Sequence, residues 1–532
     1  MFSIAFLIGL YANCIYFLGI AHLLTRPVIV VFTFAYLFLS ILFWTKYDKK
    51  INWVEIRKES IDQIRRNTVW VLGISSSIGI MLLGALVPET AFDALWYHLT
   101  LPKIYLSNGG IDFIPGNLFY YSAMPKVGEM LYVSALSISG DILSHIVHLS
   151  FALLTGIAIY ELTKKFTTQH IALIAVVIFF SNIVVLWEAT TAYIDLIRVF
   201  YEVMALWGIV NYFEKKEKKW LVESAFLFGL AIETKLLALI SLPIFIIALF
   251  FFGFKKWRGK LLDGILFIAL SLLVPSAWFV FSYIHTGNPI YPIFSNYSVE
   301  IGKDIIAFPQ TLTDMVSIFI SSADPISPLY LMLAPLLFIV WKSLKKQEVM
   351  LVLMSVISLI LWTLTPKTGG GRFLLPYLPL FSITLGIILF KIRSQKLLFK
   401  ISLFSILIVF AVSTLYRGLA EMRALPVVFG IESKDSYVSK HLNFGYGDFY
   451  DTDNKIKELV GPNKTVLLYG FHNLYYMDVP FIESSYARKG DRFDFVATQH
   501  TALPSRFSYW QPIYYNKTTD VTLYTIGQEW IY

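Results

Sequence analysis

Apolar residues in this chain gather into runs of about 20, long enough to cross a bilayer as helices, and polar residues fall mainly between the runs. The pattern predicts thirteen spans, at 2–24, 27–45, 69–87, 142–163, 169–187, 193–213, 221–238, 240–254, 262–284, 327–343, 347–365, 372–391 and 397–416. One further segment, 126–139 (KVGEMLYVSALSIS), is short and begins polar, which suits an interfacial helix. With that segment left out of the bilayer, six basic stretches fall on one side: Lys46–Arg66, Lys164–Lys165, Glu214–Lys219, Lys255–Lys260, Lys342–Lys346 and Lys391–Lys396. The positive-inside rule assigns that side to the cytoplasm, with the N-terminus inside and the C-terminus outside. The N-terminal run lacks a basic leader and is too long for a signal peptide, so it reads as the first span.

Three longer segments then lie outside: Pro88–Lys126, His285–Pro325 and the tail from about Arg417 to Tyr532. The tail has a helix pattern at Asp453–Leu459, a Gly-Pro-Asn turn, and strand patterns at Thr465–Tyr469 and Val521–Ile526. That order predicts a small α/β domain on the outer face. The expected architecture is an α-helical polytopic membrane protein in three parts. These are an N-terminal hairpin with its basic loop (1–68), a transmembrane domain (69–416) and an extracytoplasmic α/β domain (417–532).

Composition supports the membrane reading. The chain is 57% hydrophobic, against roughly 45–50% apolar in soluble domains. The net charge of +8 lies mostly in short clusters between spans, an orientation signal rather than a nucleic-acid surface. A single cysteine, Cys14, excludes an intramolecular disulfide and a cysteine-based zinc site.

Candidate chemistry gathers at the predicted outer face. Asp93, in PETAFDALWYHLTLP, follows directly on an apolar run and sits among aromatics that favour the membrane boundary. If this stretch is helical, Tyr97 shares the face of Asp93 while His98 is offset. Asp195 opens a span seven residues after Glu188, so the short turn 188–195 carries two acids at membrane level. A purely structural use of these acids is a helix cap at Asp93 and an Asp195–Arg198 pair in helical reach, with Arg198–Glu202 as a second possible pair. Three cations face them: Lys235 in AIETKLLAL, and Lys367 and Arg372 in TPKTGGGRFLLPYLP. Glycine-rich backbone beside arginine and lysine suits phosphate binding. The structural alternatives are headgroup anchoring for Arg372 and Lys367, and a pair with Glu233 or with lipid phosphate for Lys235. Aromatics of the tail (Tyr469, Phe471, Tyr475, Tyr476, Trp510, Tyr514, Tyr515) suit sugar stacking or a small core, and Asn-X-Ser/Thr sequons stand at Asn296, Asn463 and Asn516.

The segments FDALWYHLTLPKIY, AYIDL, TKLLAL, TGNPIYPIF (286–294) and GRFLLPYLPL resemble, in that order, motifs of the GT-C superfamily of membrane glycosyltransferases. The similarity is to the branch of dolichyl-phosphate-mannose mannosyltransferases and aminoarabinose transferases, and it covers roughly 70–415. The resemblance implies a GT-C-like transmembrane catalytic domain and a polyprenyl-phosphate sugar as donor. A lipid, glycan or protein would be the acceptor, with membrane lipids the only other partner and no nucleic acid. It implies Asp93 as catalytic base, Asp195 as second acid and His98 as accessory group. Arg372, Lys235 and Lys367 would face the donor phosphate. A divalent metal (Mg, Mn or Zn) on Asp195 and Glu188 is the candidate cofactor. The chain departs from the family where many members have paired acids in the first loop: Asp93 stands alone, with Glu89 four residues away. Two other classes stay open on the residues alone. They are a flippase for a lipid-linked glycan, and a polysaccharide polymerase or ligase of another membrane family.

Overall fold

The computed structural model describes residues 1–47, 65–295, 316–319, 324–365 and 367–532. Most of the basic loop Lys46–Arg66, the Asn296 sequon and much of the segment His285–Pro325 lie outside the described residues.

The N-terminal runs form helices α1 (Phe2–Ile20) and α2 (Arg26–Tyr47), followed by α3 (Thr68–Ala85). The loop after α3 carries a one-turn π-helix, Ala94–His98, and then α4 (Thr100–Asn108). Next come α5 (Val127–Ile138), α6 (Asp141–Lys164), α7 (Gln169–Phe180), α8 (Ile183–Glu188), α9 (Asp195–Lys215) and α10 (Lys218–Thr234). The second half of the bundle holds α11 (Leu242–Phe252), α12 (Trp257–Leu273), α13 (Ser276–Thr286), α14 (Leu329–Leu333), α15 (Leu336–Val340), α16 (Lys346–Trp362), α17 (Leu378–Ile392) and α18 (Lys396–Glu421).

Among the described residues seven helices are long and apolar enough to span a membrane, or eight if α12 and α13, bent by 61°, make one span. Thirteen was the expectation from the runs. The difference lies in breaks that hydropathy does not register. The run 169–187 stops at Ser181–Asn182, where the Asn182 side chain donates back to the carbonyls of Ile178 and Phe179 and stands in for the next helical amides. The run 262–284 bends beside Pro275, and 327–343 is interrupted at Ala334–Pro335, since proline lacks the N–H that continues a helix.

Segment 126–139 differs from the expected interfacial helix. It forms α5, too short to cross a bilayer and buried along nearly its whole length against α1, α2, α4 and α6. Tyr11 of α1 ties the N-terminal hairpin to it, with hydroxyl bonds of 2.6 Å to Thr33 and to Ser134.

Of the loops that the charge pattern groups on one side, two pairs meet among the described residues. Lys165 pairs with Glu214, and Lys391 reaches both Glu348 (2.8 Å) and the carbonyl of Ser343 (3.1 Å). At the other end sits the tail, a five-stranded mixed sheet ordered β2-β1-β3-β5-β4, with β1 Val466–Tyr469, β2 Phe481–Glu483, β3 Arg492–Gln499, β4 Gln511–Asn516 and β5 Val521–Ile531. β1 runs parallel to β2 and β3, while β5 is antiparallel to β3 and β4. The helix expected at Asp453–Leu459 is Lys455–Val460. Trp510 packs in the small core on one sheet face, and Phe471 packs on the face toward the bundle. Lys103 of α4 fastens the tail to the first loop through the carbonyls of Tyr475 (2.7 Å) and Met477 (3.0 Å) and the Asp478 carboxylate (2.8 Å).

Candidate active site

Glu89 shapes the loop that carries Asp93. Its buried carboxylate caps the chain locally, accepting from the amides of Thr90 (2.8 Å) and Ala91 (2.7 Å). It also accepts from the amide of Ala192 at 2.7 Å and meets His145 Nε2 at 2.9 Å. One acid thus joins the first loop to the turn 188–195 and to α6. Glu89→Ala leaves those donors buried and unsatisfied, and should cost about 3 kcal/mol of stability. A clearly lowered unfolding temperature in detergent is the expected reading; an unchanged temperature would mean the loop is held elsewhere.

Asp93 then stands at the start of the π-turn, the kind of local widening that often marks functional sites. Its amide donates to the Tyr193 hydroxyl at 3.2 Å. Its carboxylate is 16% exposed and receives Arg372 Nη1 at 2.7 Å. Tyr97 stacks on Tyr121, ring centroids 3.6 Å apart. Burial pushes the Tyr97 hydroxyl well above its ordinary range, and nearby Asp93 adds to the effect. Burial likewise pushes Tyr121 up to about 12. Both remain neutral hydrogen-bonding groups near pH 7 and neither serves as a base. His98 turns away, into the protein, where Nδ1 meets Glu129 at 2.8 Å and Nε2 has no partner among the described residues. The offset expected for His98 is thus seen, and it takes the ring into a buried acid pair.

Asp195 opens α9 and is almost fully buried. Lys235 Nζ sits on both its oxygens, at 2.8 and 3.0 Å. The lysine can reach because α10 ends at Thr234: Lys235 is extended (φ −153°, ψ 120°) before a 3₁₀ turn, Leu236–Ser241. Of the pairs drawn from local spacing, neither the one for Asp195 nor the one for Lys235 forms. Arg198 pairs with Glu202 at 2.7 Å instead of Asp195, and Glu233 takes a bond from Asn13 at 3.0 Å instead of Lys235. Arg198 thus takes the acid one turn further along its own helix, while Glu233 takes a partner from another helix. Glu188 is fully buried, and neither carboxylate oxygen has a hydrogen-bond partner among the described residues.

Arg372 is aimed by the glycines before it. Gly370 has φ 46°, and a Cβ on Gly371 would lie 1.9 Å from the Asp324 carbonyl oxygen, so a side chain there is excluded. The guanidinium lies over the Tyr193 ring (5.1 Å) and near Phe373 (5.7 Å), whose ring also faces Lys235 (5.4 Å). Phe373 therefore separates two cations. Arg372 Nε is buried without a partner among the described residues. The side chain of Lys367 lies outside the described residues.

The structure thus brings Asp93, Arg372, Asp195 and Lys235 to one end of the bundle in two ion pairs, with Tyr193 and Phe373 between them. Sequence reasoning did not single out those two aromatics, although Tyr193 lies in AYIDL and Phe373 in GRFLLPYLPL. It also missed Glu89 as a loop anchor, which no local signal marks.

The donor set does not fit a resident divalent metal. Among the described residues no three His, Cys, Asp or Glu side chains gather in ligand geometry. Both oxygens of Asp195 already face the Lys235 ammonium, and a hard divalent ion needs several oxygen ligands.

Residues 135–279, which contain the Asp195 and Lys235 segments, match the family described as dolichyl-phosphate-mannose-protein mannosyltransferase. That match covers only part of the chain, and it makes this part similar to a family of membrane mannosyltransferases. Its fold is similar to that of ArnT from Cupriavidus metallidurans, solved bound to undecaprenyl phosphate: TM-score 0.56, 11% identity, covering 85% of this chain and 97% of ArnT. The apo state of the same ArnT superposes equally, with TM-score 0.56 and 10% identity over 85% and 97% of the two chains. An oligosaccharyltransferase from Archaeoglobus fulgidus, in complex with zinc and sulfate, gives TM-score 0.49 and 15% identity over 86% of this chain and 73% of that one. No curated protein matches the sequence significantly.

Proposed function

We propose that this protein moves a sugar from a polyprenyl-phosphate donor to an acceptor hydroxyl at the extracytoplasmic membrane face, with Asp93 as general base. The observation that carries this is the Asp93–Arg372 pair, an acid and a phosphate-seeking cation in contact at 2.7 Å beside the Asp195–Lys235 pair.

The pair implies an order of events. Arg372 has five N–H donors; one holds Asp93, and Nε is uncommitted among the described residues. A donor phosphate offers more negative charge and several acceptor oxygens, so it competes with the single carboxylate for the guanidinium. As Arg372 swings to the phosphate, Asp93 is released to take the proton of the acceptor hydroxyl. The acceptor oxygen bonds to the anomeric carbon, the carbon–phosphate oxygen bond breaks, and its electron pair leaves on the polyprenyl phosphate. Arg372 and Lys235 offset the charge that gathers there. Because the leaving group is already an acidic phosphate, the site needs no dedicated acid.

An apolar groove for the lipid chain supports the reading. About 210 Å³ of free volume lies between α14–α15, α16 and α17, lined by Tyr330, Leu337, Val352, Leu359, Phe381 and Leu385. α17 follows the 3₁₀ turn that carries Arg372, so the groove lies further along the same stretch of chain. Ala334→Trp fills part of it. The expected result is about ten-fold weaker binding of undecaprenyl phosphate, the worth of roughly two buried methylenes, with a short-chain prenyl phosphate unaffected. Equal loss for both lipids would remove the groove from the account. On the tail side a cavity of about 910 Å³ between α4 and the sheet domain, lined in part by Lys103, Asp112, Asp478, Tyr486 and Arg488, offers room for an acceptor. The grouping of basic loops at the opposite end supports the extracytoplasmic assignment.

Purified protein in nanodiscs, offered sugars on polyprenyl phosphate or on nucleotides with membrane extract as acceptor, tests the proposal. Transfer only from the lipid-linked sugars is expected. Transfer from nucleotide sugars with inert lipid donors would overturn it.

A further inference from the structure

Beside the first loop with Asp93, three segments deliver the charges of the site: the start of α9 (Asp195), the break after α10 (Lys235) and the turn before α17 (Arg372). Deeper in the bundle the same three segments are joined a second time. Arg198, one turn beyond Asp195, donates from Nε to Glu202 at 2.7 Å and from Nη2 to Ser241 Oγ at 3.3 Å. Ser241, at the end of the 3₁₀ turn that follows Lys235, donates to the Tyr377 hydroxyl at 3.1 Å. Tyr377 closes the 3₁₀ turn that contains Arg372 and Phe373. All four side chains are nearly or fully buried.

A charged pair inside a spanning helix is a costly way to hold helices together, since well-packed apolar side chains usually do so at least as well. What such a network supplies is register. The guanidinium fork fixes the angle between its two acceptors, and a one-residue slip of any segment breaks a bond. Among the described residues none of the four hydrogen-bonds to Asp93, Arg372 or Lys235; their bonds are to one another.

We infer that Arg198, Glu202, Ser241 and Tyr377 are positioning residues, a polar lock that sets the spacing of Lys235 and Arg372 on either side of Phe373 so that both reach one lipid-linked phosphate. The inference rests on the phosphate-binding reading of those cations given above.

Binding of undecaprenyl phosphate and of undecaprenol, the same chain without charge, to protein in nanodiscs tests it. Tyr377→Phe, which removes one hydrogen bond, should weaken the phosphate lipid about five-fold, and Ser241→Ala, which removes two, at least as much. Undecaprenol binding should change little, and the unfolding temperature should fall by no more than the loss of one or two buried hydrogen bonds implies. The double variant should be no worse than Ser241→Ala, because the two changes remove one shared bond. Ser241→Thr, which keeps a hydroxyl, should restore binding. Wild-type affinity for the phosphate lipid in both single variants, or equal weakening toward the two lipids, would overturn the lock while leaving the site reading intact. A wild-type protein with no preference for the phosphate lipid over the alcohol would overturn the site reading itself, and the lock with it.

Discussion

Asp93→Asn is expected to fold, to bind a polyprenyl phosphate at least as well as the wild type, and to transfer sugar about a thousand-fold more slowly. The rate follows from chemistry: asparagine matches the shape but accepts no proton, and a positioned base contributes 10²–10⁴-fold. The binding result follows from the pair. Arg372 is held by Asp93 at 2.7 Å, so neutralising the acid frees the guanidinium for phosphate. The fold should survive because Glu89, not Asp93, anchors the loop. Steady-state transfer alongside undecaprenyl-phosphate binding checks all three. If Asp93 only oriented Arg372, binding would weaken and the rate at saturating donor would hold, the reverse pattern.

Arg372→Gln should reverse the columns. Affinity for undecaprenyl phosphate is expected to fall about a hundred-fold, the worth of one or two charge-assisted hydrogen bonds, with undecaprenol little affected. Asp93 is left without its cation, yet it keeps some contact with solvent at 16% exposure, so stability should fall only modestly. Arg372→Lys should recover part of the loss, since an ammonium supplies the charge without the planar fork. Titration of each variant with the two lipids is the measurement; matched loss for both lipids would mean that Arg372 supports the fold and not the phosphate.

The membrane class, the order of the site-bearing segments and the sheet-forming tail could be read from the chain because each depends on local pattern. Runs of apolar residues mark the bundle, and the clusters around Asp93, Asp195, Lys235 and Arg372 stand out as charges beside those runs. Span count was less legible. Asn182, Pro275 and Pro335 interrupt helices inside runs whose average hydropathy stays high. Pairing was the least legible. Asp93 and Arg372 are 279 positions apart and Asp195 and Lys235 are 40 apart, whereas spacing rules compare near neighbours on one face. Those rules offered Asp195–Arg198 and Lys235–Glu233, which do not form, and Arg198–Glu202, which does. The bundle satisfies Arg198 with Glu202 and Glu233 with Asn13, which leaves Asp195 and Lys235 for each other. Glu89 looked like an imperfect second acid for Asp93, and its amide contacts give it a different use, as the pin of the loop.

A cryo-EM structure of the protein with undecaprenyl phosphate tests the central claim most directly, that donor phosphate takes Arg372 from Asp93. The account predicts Arg372 and Lys235 on the phosphate oxygens, with Asp93 beyond ion-pair distance of the guanidinium. A phosphate bound elsewhere, with the 2.7 Å Asp93–Arg372 contact still in place, would contradict it.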